Sequence, residues 1–178
     1  MSSSLHQLNL AFDPAEDRML LRITAGSPGE IAEYRLWLTR RFVRLLWKAL
    51  DQMLEADAMS NPSIAPEGRK AIRKFQQDEV LSRADFTTHY TGDAARTPLG
   101  PEPLLITRFQ VTKNPDGSQI LNFQTAAGQG VNLTMNTQLI HSVRKLLADK
   151  ITEAQWDLPC ALYTEDAVYI AEASKSIN

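Results

Sequence analysis

Cysteine is almost missing from this chain of 178 residues; Cys160 is the only one. A single thiol forbids an intramolecular disulfide and fits a reducing compartment. Histidine is scarce as well. His6, His89 and His141 lie far apart, with no other ligand-type residue at metal spacing beside them, which argues against a metal centre. No apolar run approaches the length that crosses a bilayer. The start, "MSSSLHQLNLAF", lacks the basic residues and apolar core of a signal peptide. An excess of one charge is also absent. A net charge of −2 excludes a polybasic coat over the whole surface but leaves room for a local basic patch. These absences predict a cytoplasmic chain with no membrane partner and no cofactor.

Catalytic signatures are equally thin. There is no nucleophile elbow and no kinase pattern. "GSPG" and "GQG" are too short for phosphate-binding loops and lack the lysine or following helix that such loops use. "HYTGD" is the most site-like fragment, with His89, Tyr90 and Asp93 in a glycine-bearing loop, but ordinary turn chemistry explains it better. Glu16-Asp17 and Glu165-Asp166 read as solvated acids. Cys160 has no histidine near it in sequence. The chain is therefore not expected to be an enzyme.

What is present is a pattern that occurs twice. "LNLAFDPAEDRMLLRI" has the alternation of a half-buried strand at Leu8, Leu10 and Phe12. Asp13-Pro14 opens a turn, and "RMLLRI" returns. "FQVTKNPDGSQILNFQ" repeats the design, with Asn114-Pro115 laid over Asp13-Pro14 and no gap. Each hairpin is followed by an expected loop, "TAGSPGEIAE" or "TAAGQG". A third strand comes next, "YRLWL" or "VNLTM", then a cap residue, Thr39 or Asn136, then a helix.

The first helix gathers Phe42, Val43, Leu45, Leu46, Ala49, Leu50, Met53 and Leu54 on one stripe. The second gathers Leu139, Ile140, Val143, Leu146, Leu147 and Ile151. On that wheel His141 falls on the polar side. Between the copies, residues 66 to about 84 read as a connecting helix opened by Pro66, followed by an irregular stretch to Pro103. The expected class is α+β: two pseudo-repeated units of antiparallel sheet followed by one amphipathic helix, with a helical connector. The expected divisions are a first lobe over 1–58, a connector over 59–103, a second lobe over 104–158 and a tail over 159–178.

Charge distribution supplies the candidate site. From Arg18 to Lys48, the cations Arg18, Arg22, Arg35, Arg40, Arg41, Arg44 and Lys48 are opposed only by Glu30 and Glu33. If Tyr34, Leu36 and Leu38 face the helix, then Arg35 and Trp37 face outward, and Arg22 joins them. Arginine beside tryptophan on an open sheet is what single-stranded nucleic acid uses. Bases stack on the indole and guanidinium planes, and cations meet phosphates. Arg40, Arg41, Arg44 and Lys48 line the polar side of the first helix and extend a phosphate path or form its solvated face. The same face also suits protein packing, because tryptophan and arginine are both favoured at interfaces.

The order of elements in "FQVTKNPDGSQILNFQTAAGQGVNLTMNTQLIHSVRKLLADKI" resembles one repeat of the Whirly and Pur-alpha group. The likeness covers Leu8–Leu54 and Leu104–Ile151. It implies curved sheets crossed by helices, pairing of the two copies, and single-stranded DNA or RNA held on the sheet surface. Arg22, Arg35 and Trp37 carry over as candidates. The family's unit has four strands where three are identified here; a break within Leu104–Lys113 offers a fourth to copy two. Copy two has Asn132 and Thr134 in place of the arginine and tryptophan. The leading expectation is non-catalytic binding of single-stranded nucleic acid through Arg22, Arg35, Trp37, Arg40, Arg41, Arg44 and Lys48. The alternative is a self-associating or adaptor protein whose sheet faces make protein contacts, a homodimer being its simplest form.

Overall fold

Period-two alternation builds the first sheet. In β1 (Ser4–Asp13), β2 (Arg18–Ser27) and β3 (Glu30–Thr39), the residues Leu10, Met19, Leu21, Ile23, Leu36 and Leu38 all turn to one side and are buried. The strands run antiparallel, with Leu10 opposite Leu21 and Leu21 opposite Leu36. The computed structural model describes residues 4–27, 30–59, 66–83 and 96–160. The expected loop "TAGSPGEIAE" is mostly strand instead: Thr24 to Ser27 pair with Glu30 to Glu33. Ala25 lies opposite Ala32, and such short side chains let the ladder run on towards the turn.

The helix α1 (Arg40–Met59) starts where Thr39 Oγ1 accepts from the Phe42 amide at 3.2 Å. Its inner stripe is the expected one with two corrections. Leu45 is 42 % exposed, and Trp47, which the stripe had omitted, is buried. The helix α2 (Pro66–Arg83) follows and packs on the last helix. The strand β4 (Leu104–Leu105) then adds parallel to β3, with Leu36 opposite Leu104 and Trp37 opposite Leu105. Thus the break ahead of copy two does supply a strand, but to the first sheet. Ile106 follows it into the core.

The second unit repeats the plan: β5 (Arg108–Lys113), β6 (Gln119–Gln124), β7 (Gly130–Met135) and α3 (Thr137–Glu153). The sheets run in the orders β1-β2-β3-β4 and β5-β6-β7. Asn136 caps α3 as Thr39 caps α1, its Oδ1 accepting from the Leu139 amide at 2.7 Å. The two turns differ by one residue, so the hairpins do not align without a gap. Pro14 to Asp17 span the first and Pro115 to Gly117 the second. Each turn ends in a left-handed residue, Asp17 (φ 48°) and Gly117 (φ 87°). Asp17 is held in that costly conformation while its carboxylate accepts from Trp156 Nε1 at 2.7 Å.

The units exchange contacts. The helix α3 packs near β1, and α1 packs near β5 and crosses α3. With Thr39 laid on Asn136, Trp47 falls on Arg144, and Arg144 stacks on the Trp47 ring at 4.7 Å. Equivalent residues of the two units thus meet where α1 crosses α3. Phe42 joins the units, meeting Phe109 edge-on at 5.5 Å and Phe123 at 6.1 Å. One continuous apolar cluster runs through both sheets and the helices α1 and α3. The void between the sheets, lined by residues such as Leu10, Leu38, Leu121 and Leu147, measures about 20 Å³, no more than one water. Among the described residues no helix is long and apolar enough to cross a membrane.

Candidate nucleic-acid interface

The register sets three rows of side chains on the outer face of the first sheet. One is Ala11, Leu20, Trp37 and Leu105; the next is Asn9, Arg22 and Arg35; the third is Gln7, Thr24 and Glu33. Alternation placed Arg22, Arg35 and Trp37 together, and they share this face. Leu20 and Trp37 are cross-strand neighbours, as are Arg22 and Arg35. Two guanidinium groups directly opposite each other repel and need an anion or a dipole between them. Arg35 Nη2 reaches Glu33 Oε2 at 2.8 Å, and Nη1 donates to the Pro101 carbonyl at 3.0 Å. Arg22 Nη1 donates to Asn9 Oδ1 at 3.5 Å, the outer limit of a hydrogen bond.

These contacts fix the planes. Glu33 is only 2 % exposed on a face that opens to solvent at its other end. A buried carboxylate beside Arg35 orients the guanidinium and cancels much of its charge. Arg35 is thus a better stacking surface than phosphate ligand. Trp37 is partly exposed, flanked by Leu20 and by Leu105, itself 39 % exposed.

The helix cations lie elsewhere. The inner stripe of α1 packs under the sheet, so Arg40, Arg41, Arg44 and Lys48, exposed on its opposite side, are across the sheet from Trp37. No acidic residue stands in the first turn of α1. Cations there oppose the helix dipole, at about 0.3–1 kcal/mol each. Arg40 offsets part of this by donating to the Asp157 carbonyl at 3.3 Å. The seven candidates therefore form two groups: three on the sheet and four on the helix.

Leu20, Leu105, Asn9 and Glu33 were missed as parts of the surface. Leu20 was legible, because it alternates with Arg22. Leu105 was not, since its place depends on parallel pairing with a strand far away in the chain. His141 is corrected outright. It is 1 % exposed, because α2 covers that side of α3. Burial, then the Arg144 and Arg73 guanidinium groups, push its imidazole down to about 4. Among the described residues neither ring nitrogen has a hydrogen-bond partner. Nearby, Arg144 is 2 % exposed and pairs with Asp51 at 2.9 Å. Burial raises the Asp51 carboxyl above its ordinary value, with Arg144 acting against the rise.

Burial, aided by Asp51, pushes the Cys160 thiol up to about 11, far from nucleophilic thiolate. His6 Nε2 sits 3.1 Å from the Gly26 carbonyl. His89, Tyr90 and Asp93 lie outside the described residues, as does the tail beyond Cys160. Among the described residues no three His, Cys, Asp or Glu gather where they would hold a metal ion. No family model, curated protein or solved structure matches the chain, so the functional reading rests on this geometry.

Proposed function

We propose that the protein binds single-stranded DNA or RNA without catalysis, on the outer face of its first sheet. The observation that carries the reading is the Arg22–Arg35 pair set beside the Leu20–Trp37 pair on the same face. Bases stack on Trp37 and on the plane of Arg35, while Arg22 meets phosphate. Each stacked base contributes about 1–3 kcal/mol, with little sequence preference. The element order, which resembles that of the Whirly and Pur-alpha group, supports the same surface.

The test is fluorescence polarisation of a labelled single-stranded oligonucleotide across a salt series. Single strands lose about 0.7 in log affinity per log salt for each neutralised phosphate. Arg22 alone gives a slope of about −0.7; engagement of the four α1 cations as well steepens it to about −3.5. Arg35→Ala is a poor probe, since it also removes the guanidinium that pairs with the buried Glu33. Trp37→Ala with Arg22→Ala removes a stacking plane and a charge and leaves the Arg35–Glu33 pair in place. Binding should weaken by about 10-fold to 100-fold in the double variant, from the loss of one stack. A folded protein that binds no oligonucleotide at low salt overturns the proposal.

One observation favours a second reading. The row Ala11, Leu20, Trp37 and Leu105 is apolar from end to end, which also suits a protein partner. That reading gains if Trp37→Ala changes protein association and leaves oligonucleotide binding untouched.

A further inference from the structure

The two units differ at one edge. In the first, β3 points the backbone groups of alternate residues away from β2, and the connector meets them. The Glu33 amide donates to Arg96 at 2.7 Å, the Arg96 amide to Ile31 at 2.9 Å, and the Ile106 amide to Trp37 at 3.1 Å. With Thr39 laid on Asn136, the equivalents of Glu33, Arg35 and Trp37 are Gly130, Asn132 and Thr134 on β7. The Thr125 amide donates to Gln129 at 2.7 Å just beyond the ladder. Alternation from that pair assigns Val131, Leu133 and Met135 to β6 and turns the amides and carbonyls of Gly130, Asn132 and Thr134 outward. Among the described residues no strand adds to this edge.

Open edges are normally protected by charge, proline or a bulge. The strand β5, at the other side of the same sheet, carries exposed Arg108 and Lys113. Two copies of β5 set antiparallel would bring these cations together. The strand β7 reads "GVNLTM", with no charge, no proline and no register shift along its pairing with β6. Nothing on it opposes pairing with itself.

We propose that β7 is a dimerisation edge whose occupant is β7 of a second copy, set antiparallel about a two-fold axis at Asn132. Asn132 then exchanges both backbone hydrogen bonds with Asn132 of the partner subunit, and Gly130 lies opposite Thr134 of the partner subunit. The two three-stranded sheets become one of six strands. On its outer face Gln110, Asn122 and Asn132 already form a row, with Asn122 Nδ2 donating to Asn132 Oδ1. The dimer doubles this row into one uncharged amide platform. This contact uses an edge and is independent of the nucleic-acid reading, which uses the face of the other sheet.

The experiment is light scattering coupled to size exclusion over a range of protein concentrations. The unaltered chain should run at twice its 19.9 kDa mass. Asn132→Lys sets two ammonium groups opposite each other and should return the protein to 19.9 kDa. Thr134→Pro removes an outward amide that β6 does not use, and should do the same with an unchanged circular dichroism spectrum. Mixing Asn132→Lys with Asn132→Glu should restore the dimer. A monomer at every concentration overturns the proposal. So does a dimer that survives both single variants, or a Lys and Glu mixture that stays monomeric.

Discussion

Acid should weaken this fold through His141, and the size of the effect follows from its site. The imidazole lies on α3 beneath α2, beside Arg144 and Arg73, with neither nitrogen hydrogen-bonded to any of the described residues. In the unfolded chain it takes a proton near 6.5; in the folded protein it waits until about 4. Above 6.5 both states are neutral and nothing is lost. Between 6.5 and about 4 only the unfolded chain gains the proton, so stability falls as pH falls. At 1.36 kcal/mol per tenfold, the full withdrawal is about 3 kcal/mol. Native domains hold only about 5–15 kcal/mol, so the loss is large.

The assay is urea unfolding at several pH values between 7 and 4.5, for the unaltered protein and for His141→Leu. The leucine fills similar space and removes two unsatisfied nitrogens, so at pH 7 the variant should be equal or more stable. Its advantage should then widen by about 2 kcal/mol by pH 5. Asp51 responds in the opposite sense, because its raised carboxyl favours the folded state as pH falls. It is present in both proteins and drops out of the comparison. Two unfolding series that stay parallel from pH 7 to 5 refute the reasoning.

Two other outcomes follow from the shared core and the helix crossing. Asp51→Ala leaves the buried Arg144 without its carboxylate and should cost about 2–4 kcal/mol, less than a fully buried pair because Asp51 is partly exposed; Arg144→Met should cost much less, and thermal unfolding ranks the two. Phe42→Ala removes the ring that meets Phe109 and Phe123 and should cost about 3–5 kcal/mol in a single cooperative transition; two separate transitions would mean that the units fold alone.

Local order was legible, and non-local partnership was not. The alternation of Leu8 to Phe12 and of Leu36 to Leu38, and the caps Thr39 and Asn136, are decided within a few residues, and they stand where the pattern put them. The Asp13 turn is also local: its Oδ1 accepts from the amides of Ala15 and Glu16 at 2.9 and 3.1 Å. The fate of Leu104–Leu105 depends on a strand some seventy residues earlier, so no local pattern carries it. His141 and Arg144 look polar on a wheel, and only the arrival of α2 and α1 buries them. For the candidate site, alternation was enough to put Arg22, Arg35 and Trp37 on one face. It also put Glu33 on that face, two residues before Arg35, but gave no sign that Glu33 is buried or that the Pro101 carbonyl lies beside Arg35. The cations Arg40, Arg41, Arg44 and Lys48 stand on the polar side of α1, where its stripe put them, and so across the sheet from Trp37.

Three indoles give the most direct reading of the ligand surface. Trp47 and Trp156 are buried, and Trp156 Nε1 is bound to Asp17, whereas Trp37 stands on the outer face of the first sheet. Two-dimensional nitrogen–proton spectra resolve the three indole N–H signals during titration with a single-stranded oligonucleotide. The account predicts that the Trp37 signal moves saturably while Trp47 and Trp156 stay in place. A Trp37 signal that stays fixed while the oligonucleotide binds, or while none binds, contradicts it.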